Sequence, residues 1–254
     1  MDRRPAQPGS ACRLDELLVR RGLFATRSRA RDAILRGAVR VGGELARKPG
    51  QQVEGNADIA IEDPAGGYVS RAALKLIHGL DAFGFDPAGR NALDIGAATG
   101  GFTQVLLERG AKHVIAVDVG KGQMAPALAA DPRVTGIEGL NARNLDKAML
   151  GGRMPDMIVC DVSFISIRLA LPPALALAAP AARAVVLVKP QFEVGREAIG
   201  KGGIVDPGLA EETAHALRSW LDTQPGWRSV GLVPSPILGG DGNREFLLGG
   251  MKDT

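Results

Sequence analysis

The sequence predicts an α/β protein: a mostly parallel, seven-stranded sheet with helices on both faces, preceded by a small basic α+β module. Three observations carry this. From Tyr68 onward, short apolar runs alternate with helical stretches, the signature of strand–helix–strand units. Before Asp63 the pattern is two short helices followed by small strands. Between the two patterns, Asp63-Pro-Ala-Gly-Gly67 reads as a linker. The length, 254 residues, suits two unequal domains, and a 45% hydrophobic content supplies both cores. Only 4% of residues are aromatic, which throws the packing onto Leu, Val, Ile and Ala.

Taken in order, residues 1–12 are polar and proline-containing and are expected to form a disordered tail. The basic module then spans 13–62. Leu14, Leu17 and Leu18 share one face of a helix that Gly22 stops. A second helix starts at Thr26, a good N-cap residue, and carries Ile34 and Leu35 towards Gly37. Ala38-Val-Arg-Val41 is a strand and Gly42-Gly43 a turn. After a linker at 63–69, the large domain covers 70–254. It opens with a helix over 70–83, and its strands are expected at 91–97, 113–118, 134–138, 156–161, 184–189, 229–234 and 244–249.

Composition excludes several classes. Cys12 and Cys160 are far apart and give neither a disulfide framework nor metal-ligand spacing, so inert thiols in a reducing cytoplasm are expected, with no metal. The start, Met1-Asp-Arg-Arg-Pro-Ala-Gln-Pro8, lacks the apolar stretch of a signal peptide. The greasiest region, Leu169 to Val188, contains Pro172, Pro173, Pro180 and Arg183. An arginine near the centre of a span of about 20 residues is costly. The region reads as an Ala/Leu-rich packing helix, a turn and a buried strand. Charge is uneven: ten basic and four acidic residues lie between Arg13 and Lys48, while the whole chain nets only +3. An anionic partner for the module follows from that asymmetry. No feature asks for a membrane or an obligate protein partner.

The run Leu93-Asp94-Ile95-Gly96-Ala97-Ala98-Thr99-Gly100-Gly101-Phe102 is a buried strand ending in a glycine turn that enters a helix. Val114-Ile-Ala-Val-Asp118 follows, a second strand ending in an acid. Together they make an adenosine pocket. The turn lacks the second glycine of Gly-x-Gly-x-x-Gly, which favours S-adenosylmethionine over a pyrophosphate-bearing dinucleotide. Asp118 is placed to accept from ribose hydroxyls, and Asn141 to meet the adenine edge. Candidate cofactor contacts are therefore Asp94, Gly96, Ala97, Gly100, Gly101, Phe102, Asp118, Asn141 and Asp161.

Four further polar residues sit at element ends: Lys75 on the first helix, Asp161 after Met157-Ile-Val-Cys160, Lys189 after Val185-Val-Leu-Val188, and Glu245 in Gly242-Asn-Arg-Glu-Phe246. Ligands of parallel sheets bind at the carboxyl ends of strands, so Asp161 and Lys189 are expected in the crevice of the glycine turn. These four resemble the Lys-Asp-Lys-Glu tetrad of FtsJ-type ribose 2′-O-methyltransferases. The segments 70–76, 161–166, 188–193 and 242–247, with the basic module, are similar to the TlyA family of hemolysin-named rRNA methyltransferases. The module resembles the RNA-binding domain first described in ribosomal protein S-four, through Arg13-Leu-Asp-Glu-Leu-Leu18, Ser28-Arg-Ala-Arg31 and Val39-Arg-Val-Gly-Gly43.

The resemblance implies a Rossmann-like class I methyltransferase fold, S-adenosylmethionine as methyl donor with S-adenosylhomocysteine as product, and ribosomal RNA or ribosomal subunits as partner. It implies a cytidine target and Lys75, Asp161, Lys189 and Glu245 as catalytic residues. Lys189 is the expected base, in its neutral form, which the like charge of Lys75 favours and Asp161 and Glu245 oppose. Arg13, Arg20, Arg21, Arg27, Arg29, Arg31, Arg36 and Arg40 are the expected phosphate contacts. Three rivals stand beside this reading: a membrane-active hemolysin, a non-catalytic RNA-binding or assembly protein, and a small-molecule O-methyltransferase.

Overall fold

The computed structural model describes residues 11–35, 37–62 and 65–254. The chain divides into two compact units at Gly67/Tyr68, each with its own core.

In the first unit, β1 (Cys12–Arg13) leads into α1 (Leu14–Arg20), followed by α2 (Arg27–Leu35), β2 (Val39–Val41), β3 (Glu44–Leu45), β4 (Gln52–Val53) and β5 (Ile59–Ile61). Cys12, assigned above to a disordered tail, instead pairs with Val53. It is half-buried, and its sulfur accepts from Arg20. Residues 1–10 lie outside the described residues. Leu14, Leu17 and Leu18 are buried against Ala30, Ala33, Ile34 and Val39, as the helical spacing requires. Thr26 Oγ1 accepts from Arg29 N and starts α2. Gly42 and Gly43 both have positive φ, the geometry of a two-residue hairpin between β2 and β3. β2 is the centre of a three-stranded sheet in the order β3-β2-β5.

The second unit adds α3 (Ala72–Phe83), β6 (Asn91–Ile95), α4 (Gly101–Glu108), β7 (His113–Asp118), α5 (Pro126–Ala129), β8 (Val134–Glu138), β9 (Met157–Cys160), α6 (Ile167–Ala170), α7 (Pro172–Leu177), β10 (Arg183–Val188), α8 (Pro207–Leu221), β11 (Trp227–Pro234) and β12 (Phe246–Lys252). Its seven strands form one sheet in the order β11-β12-β10-β9-β6-β7-β8. All neighbours are parallel except β12, which runs antiparallel to β10 and β11. The start of β12 therefore lies at the end of the sheet where the parallel strands finish.

Alternation along the strands sorts side chains onto two faces. Ile158, Cys160, Val186, Val188 and Leu248 join α6, α7 and α8. Val159, Val185, Leu187 and Leu247 pack under α3 and α4. Gly79 lets α3 settle onto this second face: a Cβ there would stand 2.7 Å from Val185 Cγ1. The greasy region 169–188 contains α7 and then β10, buried from Ala184 to Val188; no helix among the described residues is long and apolar enough to cross a membrane. Lys252 Nζ and Trp227 Nε1 donate to carbonyls at the end of α7.

Candidate active site

β6 stops at Ile95, two residues before the sequence pattern suggests, because Gly96 adopts φ +82°. A Cβ at Gly96 would lie 2.6 Å from the Asp161 carbonyl. Glycine is needed there so that the ends of β6 and β9 can approach. Beside this turn opens a cavity of about 610 Å³, within the size range of small-molecule sites. Gly96, Asp118, Asn141 and Asp161 line it, with apolar walls from Ile95, Val117, Leu140, Ile165 and Leu169. Asp118 Oδ2 accepts from Ala98 N at 2.8 Å and Oδ1 from Gly120 N at 2.7 Å. Each oxygen keeps a lone pair, so the carboxylate can still accept from two hydroxyls, which fits a ribose. Asn141 Oδ1 accepts from Arg143 N and Nε, which caps the short turn 142–144 at the cavity wall.

The other nominated contacts lie elsewhere. Ala97 lines a neighbouring cavity of about 390 Å³ that shares Asp118. Asp94, Gly100, Gly101 and Phe102 line neither. Phe102 is core beneath α4. A Cβ at Gly100 would meet Leu128, and one at Gly101 would meet Ser70, so these glycines make room for protein neighbours. Asp94 is fully buried; its Oδ2 accepts from Thr103 Oγ1 at 2.6 Å and ties β6 to the start of α4. Burial, with the charges of Asp161 and Asp118, pushes its carboxyl up to about 7.

The tetrad resolves into two ion pairs. Lys189 Nζ lies 2.7 Å from Asp161 Oδ1 and donates to Ser163 Oγ at 2.8 Å. Lys75 Nζ donates to Glu245 Oε2, and both side chains are buried. Glu245, Lys189 and Asp161 follow or precede three adjacent strands, β12, β10 and β9, at their shared end. By alternation all three fall on the face that α3 covers, from which Lys75 reaches Glu245. Asn243 is buried two residues before Glu245; it accepts from Val205 N and donates to Gly203 O, fastening the turn that delivers the glutamate.

Two cavity residues escaped the sequence reading. Ser163 touches Lys189, and Phe164 is 90% exposed with φ +64°, its ring 5.0 Å from that of Phe192. Only the motif 161–166 pointed to them, and it gave no reason for either.

In the first unit, several of the nominated arginines bind groups of their own unit. Arg13 and Arg27 both bind Asp15, a carboxylate with no exposed surface that the Arg13 hydrogen bond holds below the usual range. Arg21 donates to the Gly55 and Ala57 carbonyls, and Arg40 to Glu62 and the Gly43 carbonyl. Arg20, Arg29 and Arg31 are exposed, and Arg36 lies outside the described residues.

A glycine turn and a strand-ending carboxylate beside a cavity at the carboxyl ends of a parallel sheet, closed by one antiparallel strand, define the class: an α/β methyltransferase of the S-adenosylmethionine-dependent type. Residues 68–252 match the FtsJ-like methyltransferase model, and residues 12–59 match the S4 domain. The chain belongs to the FtsJ-like methyltransferase family. It is 46% identical over 238 residues to the 16S/23S rRNA (cytidine-2′-O)-methyltransferase TlyA of Mycobacterium tuberculosis, covering 93% of this chain and 88% of the relative. Hemolysin A of Brachyspira hyodysenteriae is 39% identical, covering 92% of this chain and 98% of the relative. A hemolysin-named structure from Streptococcus thermophilus superposes with a TM-score of 0.74 at 38% identity, covering 98% of this chain and 90% of that one.

Proposed function

We propose that this protein methylates a ribose 2′-hydroxyl in ribosomal RNA, at a cytidine, with the S4 unit supplying affinity for the RNA. One observation carries the reading: Lys189 is paired with Asp161, which lines the cavity, in a chain so similar to a cytidine-2′-O-methyltransferase. Gly96, Asp118 and Asn141 would hold S-adenosylmethionine; when bound, it supplies a methyl group activated by its sulfonium.

The protein's own task is to position the ribose and take its proton. The neutral amine of Lys189 accepts the 2′-hydroxyl proton, and Asp161 stabilises the ammonium that results. The buried Lys75–Glu245 pair braces the end of β12, the strand beside the one that Lys189 follows. Phe164 presents an exposed aromatic face on which an unstacked base can rest. The work is done where ribosomes are, in the cytoplasm.

Lys189→Ala tests the assignment. Methyl transfer should fall about 10²–10⁴-fold, the usual contribution of general-base catalysis, while the Kd for S-adenosylmethionine changes only a few-fold. Unimpaired transfer would remove Lys189 from the reaction.

A further inference from the structure

We infer that Ser163 is a positioning residue for Lys189: its hydroxyl fixes the direction of the lone pair that receives the ribose proton. This rests on the proposed role of Lys189 as base. A neutral lysine amine has two N–H bonds and one lone pair at the corners of a tetrahedron. Rotation about Cε–Nζ exchanges them freely unless neighbours hold both hydrogens. The negative Asp161 Oδ1, 2.7 Å away but outside hydrogen-bond geometry, draws one towards it by charge alone. Ser163 Oγ, at 2.8 Å, accepts the other. The lone pair is then left at the one remaining corner. In the step itself the O–H bond of the ribose breaks, its proton bonds to Nζ, and the oxygen keeps the electron pair.

The local backbone supports a purpose for Ser163. The next residue, Phe164, has φ +64°, a conformation that non-glycine residues rarely adopt and that strained functional turns retain. Both residues line the cavity. Other charged groups close to this end of the sheet are already committed: Lys75 to Glu245, and Asp94 to Thr103. Ser163 is thus the single neutral acceptor that the structure gives Lys189 among the described residues.

The test uses a matched pair, Ser163→Thr and Ser163→Val, which have the same shape and differ in the hydroxyl alone. Full-length protein is assayed with ribosomal RNA and labelled S-adenosylmethionine. Ser163→Val should lower kcat about 10- to 100-fold with KM for both substrates within a few-fold, as a misplaced reacting group does. Ser163→Thr should recover most of the activity. Equal activity of the two variants, whether high or low, overturns the inference, because a packing role does not distinguish hydroxyl from methyl. Lys189→Ala in the same assay separates the layers. If it is inactive while Thr and Val are equal, only the role of Ser163 fails. If it is active, the role of Lys189 fails as well.

Discussion

Asp94 shows how closely the residues of this site feel one another. Its carboxyl stands at about 7 because burial removes water from it, with Asp161 and Asp118 adding negative charge. A carboxyl raised in the folded state favours folding while it is protonated, and that advantage is lost as pH rises through the folded value. Between pH 5 and 8 it should cost the protein roughly 2–3 kcal/mol. Asp94→Asn removes the titration, so its stability relative to the parent should rise by that amount over the interval in denaturant melts. A constant difference across the range would show that Asp94 stays ionised. Legibility at this scale followed the apolar runs. Asp161 and Lys189 stood out because each interrupts a run of buried aliphatic residues. Ser163, Phe164 and the buried Asp15 did not, because their importance lies in neighbours distant in sequence or in one backbone angle.

At the scale of elements, the sequence located all seven strands of the large sheet, and its errors were at their ends. Gly96 and Ala97 looked like strand, but the chain turns back at Gly96 with φ +82°. The expected last strand ends at Gly249, yet β12 runs through Gly249 and Gly250 to Lys252. Phe83 covers the first and Leu221 and Trp227 the second, so tertiary packing supplies what the missing side chains do not. The same logic gives α3 its precision. Leu76 and Leu80 are buried, and Gly79 closes the gap to Val185. Gly79→Ala should cost about 1–3 kcal/mol by overpacking, read as a lowered denaturant midpoint. It should also lower kcat, because the displaced helix carries Lys75 away from Glu245. Unchanged stability and kcat would mean the helix has slack.

For the whole molecule, two independent cores divide the labour. The basic bias of the first unit was plain in composition, but its use was not. Arg13, Arg21, Arg27 and Arg40 spend donors on their own unit, and Arg20, Arg29 and Arg31 are among its exposed cations. Removing residues 1–67 should leave S-adenosylmethionine binding intact, since the second unit keeps its own core. RNA modification should collapse. The slope of log affinity against log salt should flatten by about 0.7–0.9 for each phosphate that is no longer neutralised. An unaltered slope would place the RNA-binding surface outside the S4 unit.

Mass spectrometric mapping of ribosomal RNA, after incubation with the purified protein and isotopically labelled S-adenosylmethionine, probes the proposed reaction itself. A label on the 2′-oxygen of a cytidine ribose, absent when Lys189→Ala replaces the parent, is the expected result. A label on a base nitrogen or carbon, or equal labelling by both proteins, would contradict ribose methylation with Lys189 as its base.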